Sequence, residues 1–218
     1  MKSDSTQPLY LAASYTIGTY ILPGEAIEYI SEQSNNKMRL NINSCDNIVK
    51  GVKTGEFDLG FIESPIFDDE LTYREWLGDE LIVCSKIELP KSLDRELLSN
   101  YKLICREENS PTRSIVNNFL EKFDLSFMSF ESLLEINNTT AAIQSVKWSK
   151  PNLQNPTITF VSNLAIEDEL KHQELFQSRI FNHPIKRTFY IITQKDIKED
   201  SLIQTIINGF LEDNKEVS

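Results

Sequence analysis

Over the first 65 residues, apolar and polar positions fall into short blocks that alternate between strand and helix periodicity. Leu9–Ala13 is an apolar run that predicts a strand, and Met38–Ile42 alternates apolar and polar side chains, as a second strand would. Between them, Ile17, Ile21, Ile27 and Ile30 recur near helical spacing. The pattern therefore predicts a strand, a helix and a second strand in this order.

Two details refine the prediction of the first helix. Thr16 is well placed as its N-cap residue, because a side-chain oxygen there can accept a hydrogen bond from a free backbone N–H. The Pro23-Gly24 pair predicts a bend or an early split, since proline cannot donate the backbone hydrogen bond that a helix interior requires.

Residues 58–62, with the sequence Asp-Leu-Gly-Phe-Ile, have the apolar bias of a strand buried on both faces. Ile48, Val49 and Val52 predict a short helix before it. Strand, helix, strand, helix and strand together indicate a parallel α/β sheet with right-handed crossovers. Ligands of such sheets bind beyond the carboxyl ends of the strands, so the loop at residues 63–65 is a candidate pocket wall.

The remainder of the chain repeats this alternation. The apolar pattern predicts strands at 81–84, 103–105, 127–133, 157–161 and 187–193, and helices at 93–99, 115–123, 138–146, 164–170 and 202–210. Residues 150–156 are the most linker-like segment, but they are too few to separate independent domains. The whole pattern predicts two similar α/β lobes rather than one long sheet.

Composition narrows the class of protein. The 218 residues are 40% hydrophobic and 25% charged, which is sufficient for a packed core, and the formal net charge is −11. An acidic chain is poorly suited to bind a nucleic-acid backbone by itself, because that binding requires clustered Lys and Arg. There is no apolar run of about 18 residues, so no membrane span is expected.

The first eight residues are polar and lack the apolar core of a secretion signal, so residues 1–8 are interpreted as a leader or linker remnant. The odd number of cysteines, Cys45, Cys84 and Cys105, suits a reducing compartment better than a disulfide framework. Together these features predict a cytoplasmic protein.

Small hydroxyl and amide residues occur where three helices are expected to begin. They are Ser14-Tyr15-Thr16, Asn43-Ser44 and Asn109-Ser110-Pro111-Thr112, with Ser110 as an N-cap and Pro111 in the first turn. Free N–H groups at helix starts favour negative charge, so two such starts at one cleft would hold a small carboxylate or oxyanion. The simpler interpretation is that each residue only caps its helix.

None of the cysteine, histidine and carboxylate side chains indicates a catalytic role. Cys45 adjoins a predicted pocket loop as a conceivable thiol sensor, although a buried, inert cysteine is the simpler interpretation. His172 and His183 lack metal-ligand neighbours in the sequence, so no metal site is expected. Glu63 is suited to orient a ligand amine or to cap a helix start. Neither a paired acid and base nor a cofactor motif occurs, so we expect no catalytic residue and no cofactor.

Several segments, taken in order, resemble the effector-binding domain of LysR-type transcriptional regulators. The first carries a Ser/Thr-rich loop followed by Ile17-Gly18 and Leu22-Pro23, and the second a Gly turn followed by a Gly-Asp-Leu-Gly-type strand. The family loop that often reads Arg-Glu-x-x-Ser-x-Thr-Arg is present from Arg106 to Arg113. The segments that carry the resemblance are 11–23, 51–65, 80–83, 106–113, 161–170 and 187–192, within a match over residues 9–211.

The resemblance implies a fold of two Rossmann-like lobes with a ligand cleft between them, joined by two crossovers, as in type 2 periplasmic binding proteins. By the same resemblance, lobe one is residues 9–84 and 188–214, and lobe two is residues 85–187. The family's winged helix-turn-helix DNA-binding domain has no counterpart in these residues. We therefore expect the regulatory domain of such a protein, with DNA contacted only through that other domain.

The family's ligand-binding positions can be carried over by residue. Family members often have a glycine in the loop that here reads Glu108-Asn109-Ser110-Pro111, and Pro111 stiffens this loop and removes one N–H donor from it. The implied ligand-binding residues are Ser14, Tyr15, Thr16, Asn43, Ser44, Glu63, Ser64, Pro65, Asn109, Ser110, Thr112, Val161 and Ser162.

The resemblance implies binding of a small-molecule effector, a small acid or an inorganic anion, by a homodimer or homotetramer. Family members pack side by side in antiparallel fashion, which would place the helices after Thr16 and Thr112 in the interface. Two alternatives stand beside this interpretation. One is a free-standing solute-binding protein of a transporter, and the other is an enzyme that uses the same cleft.

Overall fold

The computed structural model describes residues 8–35, 37–64, 66–199 and 201–213. The chain divides into two compact units: unit 1 comprises Met1–Gly78 and Thr188–Ser218, and unit 2 comprises Asp79–Arg187. Most of the expected leader, residues 1–7, lies outside the described residues. Within the described part of the chain, no helix combines the length and the apolar character needed to cross a membrane.

Ten strands and seven α-helices are present among the described residues. The strands are β1 Leu9–Ala13, β2 Met38–Ile42, β3 Leu59–Ile62, β4 Leu71–Ser85, β5 Ser92–Leu93, β6 Lys102–Arg106, β7 Ser132–Ile136, β8 Thr157–Ser162, β9 Phe176–Ile180 and β10 Ile185–Gln194. The helices are α1 Glu25–Gln33, α2 Cys45–Thr54, α3 Arg95–Leu98, α4 Pro111–Glu121, α5 Thr139–Lys147, α6 Glu167–Lys171 and α7 Leu202–Asp213.

Unit 1 is built on a sheet with the strand order β2-β1-β3-β10. β1 is parallel to both β2 and β3, whereas β10 returns antiparallel beside β3. Ala13, the last residue of β1, lies opposite both Ile42 and Phe61. The carboxyl ends of the three parallel strands are therefore level, and the loops that follow them leave the sheet at the same edge.

The first helical segment of unit 1 splits where the sequence predicted. Ile17–Ile21 forms a π-helix in which the N–H of Leu22 donates to the carbonyl of Ile17 at 2.9 Å, and α1 starts after Pro23 and Gly24. Pro23 has no N–H to continue the helix, and Gly24 has a φ of 99°, a backbone conformation that disfavours other residues.

Helix α2 has caps at both ends and packs its apolar side against the sheet. The Ser44 side chain accepts from the N–H of Asn47 at 3.4 Å, and Gly55 closes the helix with a φ of 76°. At Gly60 of β3 the sheet has no side chain, and Ile48 and Ile192 fill the space above it. The buried core on this side consists of Ala12, Cys45, Ile48, Val49, Val52, Phe57, Ile62, Leu71 and Ile192.

Unit 2 contains a sheet with the strand order β4-β8-β6-β7, in which β6 is parallel to β7 and β8 and β4 is antiparallel to β8. β9 pairs with the end of β4 and with the short β5. β7 pairs only with β6 and is an edge strand among the described residues. The buried core of unit 2 includes Leu81, Val83, Leu103, Val116, Phe119, Leu120, Ile158 and Phe160.

The prediction of a strand at 127–133 is wrong at its start. Phe127–Ser129 is a 3₁₀ turn in which Ser126 and Ser129 cap one another, and β7 begins only at Ser132. The local serine hydrogen bonds compete successfully with the apolar run. β4 is longer than predicted, because it extends back to Leu71 through polar residues. β9 was not predicted, and its buried side chains alternate with the exposed Gln177 and Arg179.

Candidate functional site

Three loops meet at the carboxyl edge of the unit 1 sheet. The N–H of Ser14 donates to the carbonyl of Phe61 at 2.9 Å, and the N–H of Asn43 donates to the carbonyl of Ala13 at 3.0 Å. These bonds hold the residues after β1, β2 and β3 side by side, so the structure brings Ser14, Asn43 and Glu63 to one edge. Pro65, also expected here, lies outside the described residues.

Thr16 does not cap the first helix, which corrects that prediction. Its backbone is helical and it makes no side-chain cap bond. Instead its hydroxyl donates to Oε2 of Glu63 at 3.0 Å, and both side chains are buried. An N-cap residue has an extended backbone and accepts through its side-chain oxygen, so it is the helical backbone of Thr16, and not the bond to Glu63, that is incompatible with a cap.

The other candidate residues of unit 1 differ in their burial and in whether their side chains already have hydrogen-bond partners. The Ser14 hydroxyl is buried and has no hydrogen-bond partner among the described residues. The Asn43 side chain accepts from the N–H of Ser44 and from Nδ2 of Asn47, both at 2.9 Å, which orders the start of α2. Tyr15 is exposed and Ser64 is half-buried. Among the described side chains of this group, the Ser14 hydroxyl therefore lacks a partner although it is buried.

Cys45 begins α2 beside Glu63. Burial, followed by the charge of the Glu63 carboxyl, raises the pKa of the Cys45 thiol to about 12. In unit 2, burial and then the charge of Glu169 raise the pKa of Cys84 to about 12, and burial also raises the pKa of Cys105. All three cysteines are free and buried, so the geometry supports the inert interpretation rather than a thiol sensor.

This predicts an unreactive native protein. Because burial raises the pKa of all three thiols and keeps reagents away from them, alkylation by iodoacetamide at pH 8 should be negligible over an hour. In urea all three cysteines should react. Mass spectrometry of both samples makes the comparison, and rapid modification of Cys45 in the native protein would contradict the buried geometry.

Helix α4 carries the corresponding residues of unit 2. Pro111 is its first residue and Ser110 its N-cap, as predicted, but the Ser110 hydroxyl makes no cap bond. That hydroxyl is buried without a partner. Thr112 is buried in the first turn, whereas Asn109 is exposed. The helix start therefore presents a buried, unused hydroxyl beside free backbone N–H groups.

A buried ion pair joins the first and last residues of unit 2, and the sequence pattern did not predict it. Nε of Arg187 lies 2.6 Å from Oδ2 of Asp79, with side-chain exposures of 3% and 0%. The Ser162 hydroxyl donates to Oδ1 of Asp79 at 2.8 Å, and Nη1 of Arg187 donates to Oγ1 of Thr112 at 3.4 Å. Thus Ser162 does not cap the helix after β8, and Val161 packs in the core.

The other arginines near the unit 2 strand ends are also engaged. Nε and Nη2 of Arg106 both contact the Glu107 carboxylate at 2.8 Å, and its Nη1 contacts the Thr139 hydroxyl. Arg113 pairs with Glu135. Within the described part of the chain, no three His, Cys, Asp or Glu side chains are grouped as metal ligands would be.

Comparison with known proteins gives the class that this arrangement belongs to. Across 96% of this chain and 98% of the other, the structure is similar to the regulatory domain of Synechocystis CcmR in complex with 2-PG, with a TM-score of 0.78 and 22% identity. The effector-binding domain of QuiR in complex with shikimate gives a TM-score of 0.73 and 16% identity, with 96% and 97% covered. The predicted α/β fold class, that of LysR regulatory domains, is therefore confirmed.

The chain belongs to the LysR substrate binding domain family, whose model matches residues 2–214. It is 30% identical over 184 residues to the HTH-type transcriptional regulator YeiE of Escherichia coli, covering 83% of this chain and 59% of that protein. A probable RuBisCO transcriptional regulator of Thalassiosira pseudonana is 26% identical over 205 residues, covering 90% and 65%. The chain thus spans less than two thirds of these relatives.

Proposed function

We propose that this chain senses a small-molecule effector as the regulatory domain of a LysR-type transcriptional regulator. The family assignment and the regulators among its relatives support this function. Two structurally similar domains are in complex with 2-PG and with shikimate, both small molecules. The transporter alternative is less favoured, because the Escherichia coli and Thalassiosira pseudonana relatives are named as regulators of transcription.

One observation in the structure carries the proposal. The hydroxyls of Ser14 and Ser110 are buried and without a hydrogen-bond partner, and each follows the carboxyl end of a sheet strand or opens a helix there. A buried polar group without a partner costs about 1–3 kcal/mol, so native proteins rarely retain one without a reason. A bound effector would supply the missing partner of such a hydroxyl.

The effector would act through binding energy alone, with no bond made or broken. Free N–H groups at the starts of α2 and α4 favour an anionic group, by about 0.3–1 kcal/mol for each helix start. The Ser110 hydroxyl would add a direct hydrogen bond. Regulation then follows if the effector binds one state of the protein more tightly than another. The cleft expected between the two lobes stays a prediction.

The serine hydroxyls provide the test. Ser14→Ala and Ser110→Ala should each weaken binding of a small acid found by thermal-shift screening by about tenfold, the loss of one hydrogen bond in a buried site. Calorimetric titration of each variant measures the change. Ser114→Ala, on the exposed side of α4, is the control. Full affinity in both site variants would reject this site.

Self-association is the second part of the proposal. We expect a homodimer, or a tetramer built from it, with the helix after Thr16 and the helix after Thr112 at the interface. β7, an edge strand among the described residues, follows α4 in the chain and presents Leu133 and Leu134 to solvent. Unpaired apolar edges are usually covered, and a second copy would cover this one.

Leu134→Lys is therefore expected to shift a dimer toward monomer. Leu134 is 57% exposed, so the substitution removes little from the folded monomer while placing a charge in the contact. Sedimentation velocity at 5–50 μM protein (roughly the usual range for weak association) measures the shift. Lys171→Glu, an exposed change on α6, serves as control. A wild-type monomer over this range would contradict the dimer.

DNA contact is proposed to lie in another part of the full regulator. The relatives are described as HTH-type or transcriptional regulators, and this chain covers only part of their length. With a net charge of −11, the present chain is unsuited to bind a polyanion itself.

A further inference from the structure

Unit 2 contains a cavity of about 270 Å³ that none of the candidate effector-binding residues lines. It is formed by the segment before β5, by strand β9 and by the turn that follows β9. The described residues that line it are Lys91, Gln177, Ser178, Arg179 and Asn182. This cavity is therefore built from elements other than helix α4, which carries Ser110.

Every lining side chain of this cavity can donate a hydrogen bond. Lys91 and Arg179 are cations, Gln177 and Asn182 carry amide groups, and Ser178 carries a hydroxyl. Neither an apolar side chain nor a carboxylate occurs among the described residues that line it. Sites for apolar ligands are lined mainly by hydrophobic side chains, and sites for hard cations need acidic or carbonyl oxygens. The lining therefore favours a small anion with several acceptor oxygens.

The two cations lie side by side and are held differently. The backbone N–H of Arg179 donates to the carbonyl of Lys91 at 3.0 Å. Nε and Nη2 of Arg179 lie 2.5 and 2.7 Å from the two Glu80 carboxylate oxygens, which orients the guanidinium and leaves the N–H groups of Nη1 for another acceptor. Lys91 is exposed and has no ion pair among the described residues. The Lys91 ammonium therefore supplies a positive charge that Glu80 does not offset.

The turn after β9 keeps Asn182 at this cavity. Phe181 and Asn182 have φ values of 49° and 58°, a left-handed conformation that asparagine tolerates and a bulky phenylalanine disfavours. The N–H of Phe181 donates to the carbonyl of Leu93 at 2.9 Å, and its ring centroid lies 4.9 Å from that of Phe123. These contacts stabilise the strained turn, so the backbone of Asn182 is held beside the two cations.

We propose that this cavity is a second ligand site of unit 2 and that it binds a phosphate group, as the free anion or as a small phosphate ester. A phosphate group combines several acceptor oxygens with up to about two negative charges at neutral pH, which match five donor side chains and an uncompensated lysine. The net charge of −11 opposes general attraction of anions, so binding would depend on this local set of donors. The site is independent of the effector-sensing function proposed above.

Titration with sodium phosphate at constant ionic strength, followed by proton–nitrogen correlation spectra, tests the site. The backbone signals of residues 177–182 should shift saturably with a Kd on the order of 1 mM, since the site is small and most of its side chains are exposed. Lys91→Gln should weaken this binding by about tenfold, because it removes the uncompensated charge and keeps a hydrogen-bonding side chain. Lys102→Gln, exposed on β6 and not among the lining residues, is the matched control and should bind as the unaltered protein does.

A second titration uses glycerol phosphate, with glycerol as its uncharged control. Saturable shifts with either phosphate that Lys91→Gln weakens support the site, and tighter binding of the ester identifies an organic phosphate as the ligand. Shifts that do not saturate, that are equal in Lys91→Gln or that glycerol reproduces overturn the proposal. A lack of shifts at residues 177–182 also overturns it, and shifts confined to residues 110–113 would mean that phosphate binds only at the start of α4.

Discussion

Replacing Asp79 with alanine is expected to lower the free energy of unfolding by about 3–5 kcal/mol. Asp79 is buried, and its two carboxylate oxygens serve Arg187 at 2.6 Å and the Ser162 hydroxyl at 2.8 Å. The substitution would remove the buried Asp79 carboxylate from the Arg187 guanidinium and leave a buried hydroxyl without its acceptor. Both penalties arise in unit 2, at the two points where the chain enters and leaves it.

Urea denaturation followed by far-ultraviolet circular dichroism measures this effect. The neighbouring pair Glu80–Arg179 is the matched control, because its N–O distance is 2.5 Å but its side chains are 22% and 44% exposed. Glu80→Ala should therefore cost less than about 1 kcal/mol, as exposed ion pairs do. Equal losses in the two variants would show that burial does not set the strength of the Asp79 pair.

Gly60→Ala should also be strongly destabilising, by about 1–3 kcal/mol, because β3 lies in a filled core. A Cβ at this position would lie 2.6 Å from Cγ1 of Ile192 and 2.8 Å from Cγ2 of Ile48. Both atoms belong to branched side chains packed in the core of unit 1, so neither moves aside without disturbing its neighbours.

Gly78→Ala tests whether this loss comes from packing. A Cβ on Gly78 would have no atom within 4 Å, and its φ is not in the left-handed region. That variant should be neutral, or more stable by about 0.4–1 kcal/mol through the unfolded state. Thermal denaturation compares the two glycines. A stable Gly60→Ala protein would mean that the core can expand, contrary to the packing described.

Much of the fold follows from local patterns in the sequence. β1 and β2 have the predicted bounds, the first helix splits at Pro23-Gly24, and α5, which Asn138 caps, lies where a helix was predicted at 138–146. Each of these features depends on residues close together in the chain. Apolar runs identify strands buried on both faces, and Gly, Pro and small polar residues identify where helices begin and end.

Features that depend on distant residues were missed or misassigned. The Asp79–Arg187 pair joins residues 108 positions apart, and no local pattern at either residue indicates it. Thr16 was expected to cap a helix, but its own backbone is helical, and its hydroxyl donates to the carboxyl of Glu63, 47 positions away. Likewise, the unpartnered state of Ser14 and Ser110 becomes visible only when all their neighbours are known. The ligand-binding role of the site remains a prediction.

The division of the chain into units fixes the order in which each can be completed during synthesis. Every strand and helix of unit 2 has left the ribosome's active site once Arg187 has been added. Unit 1 begins the chain, yet β3 lacks its antiparallel neighbour until β10 is made, and α7 follows later still. Of the two units, the one whose first strands are translated earlier is therefore the last whose sheet can close.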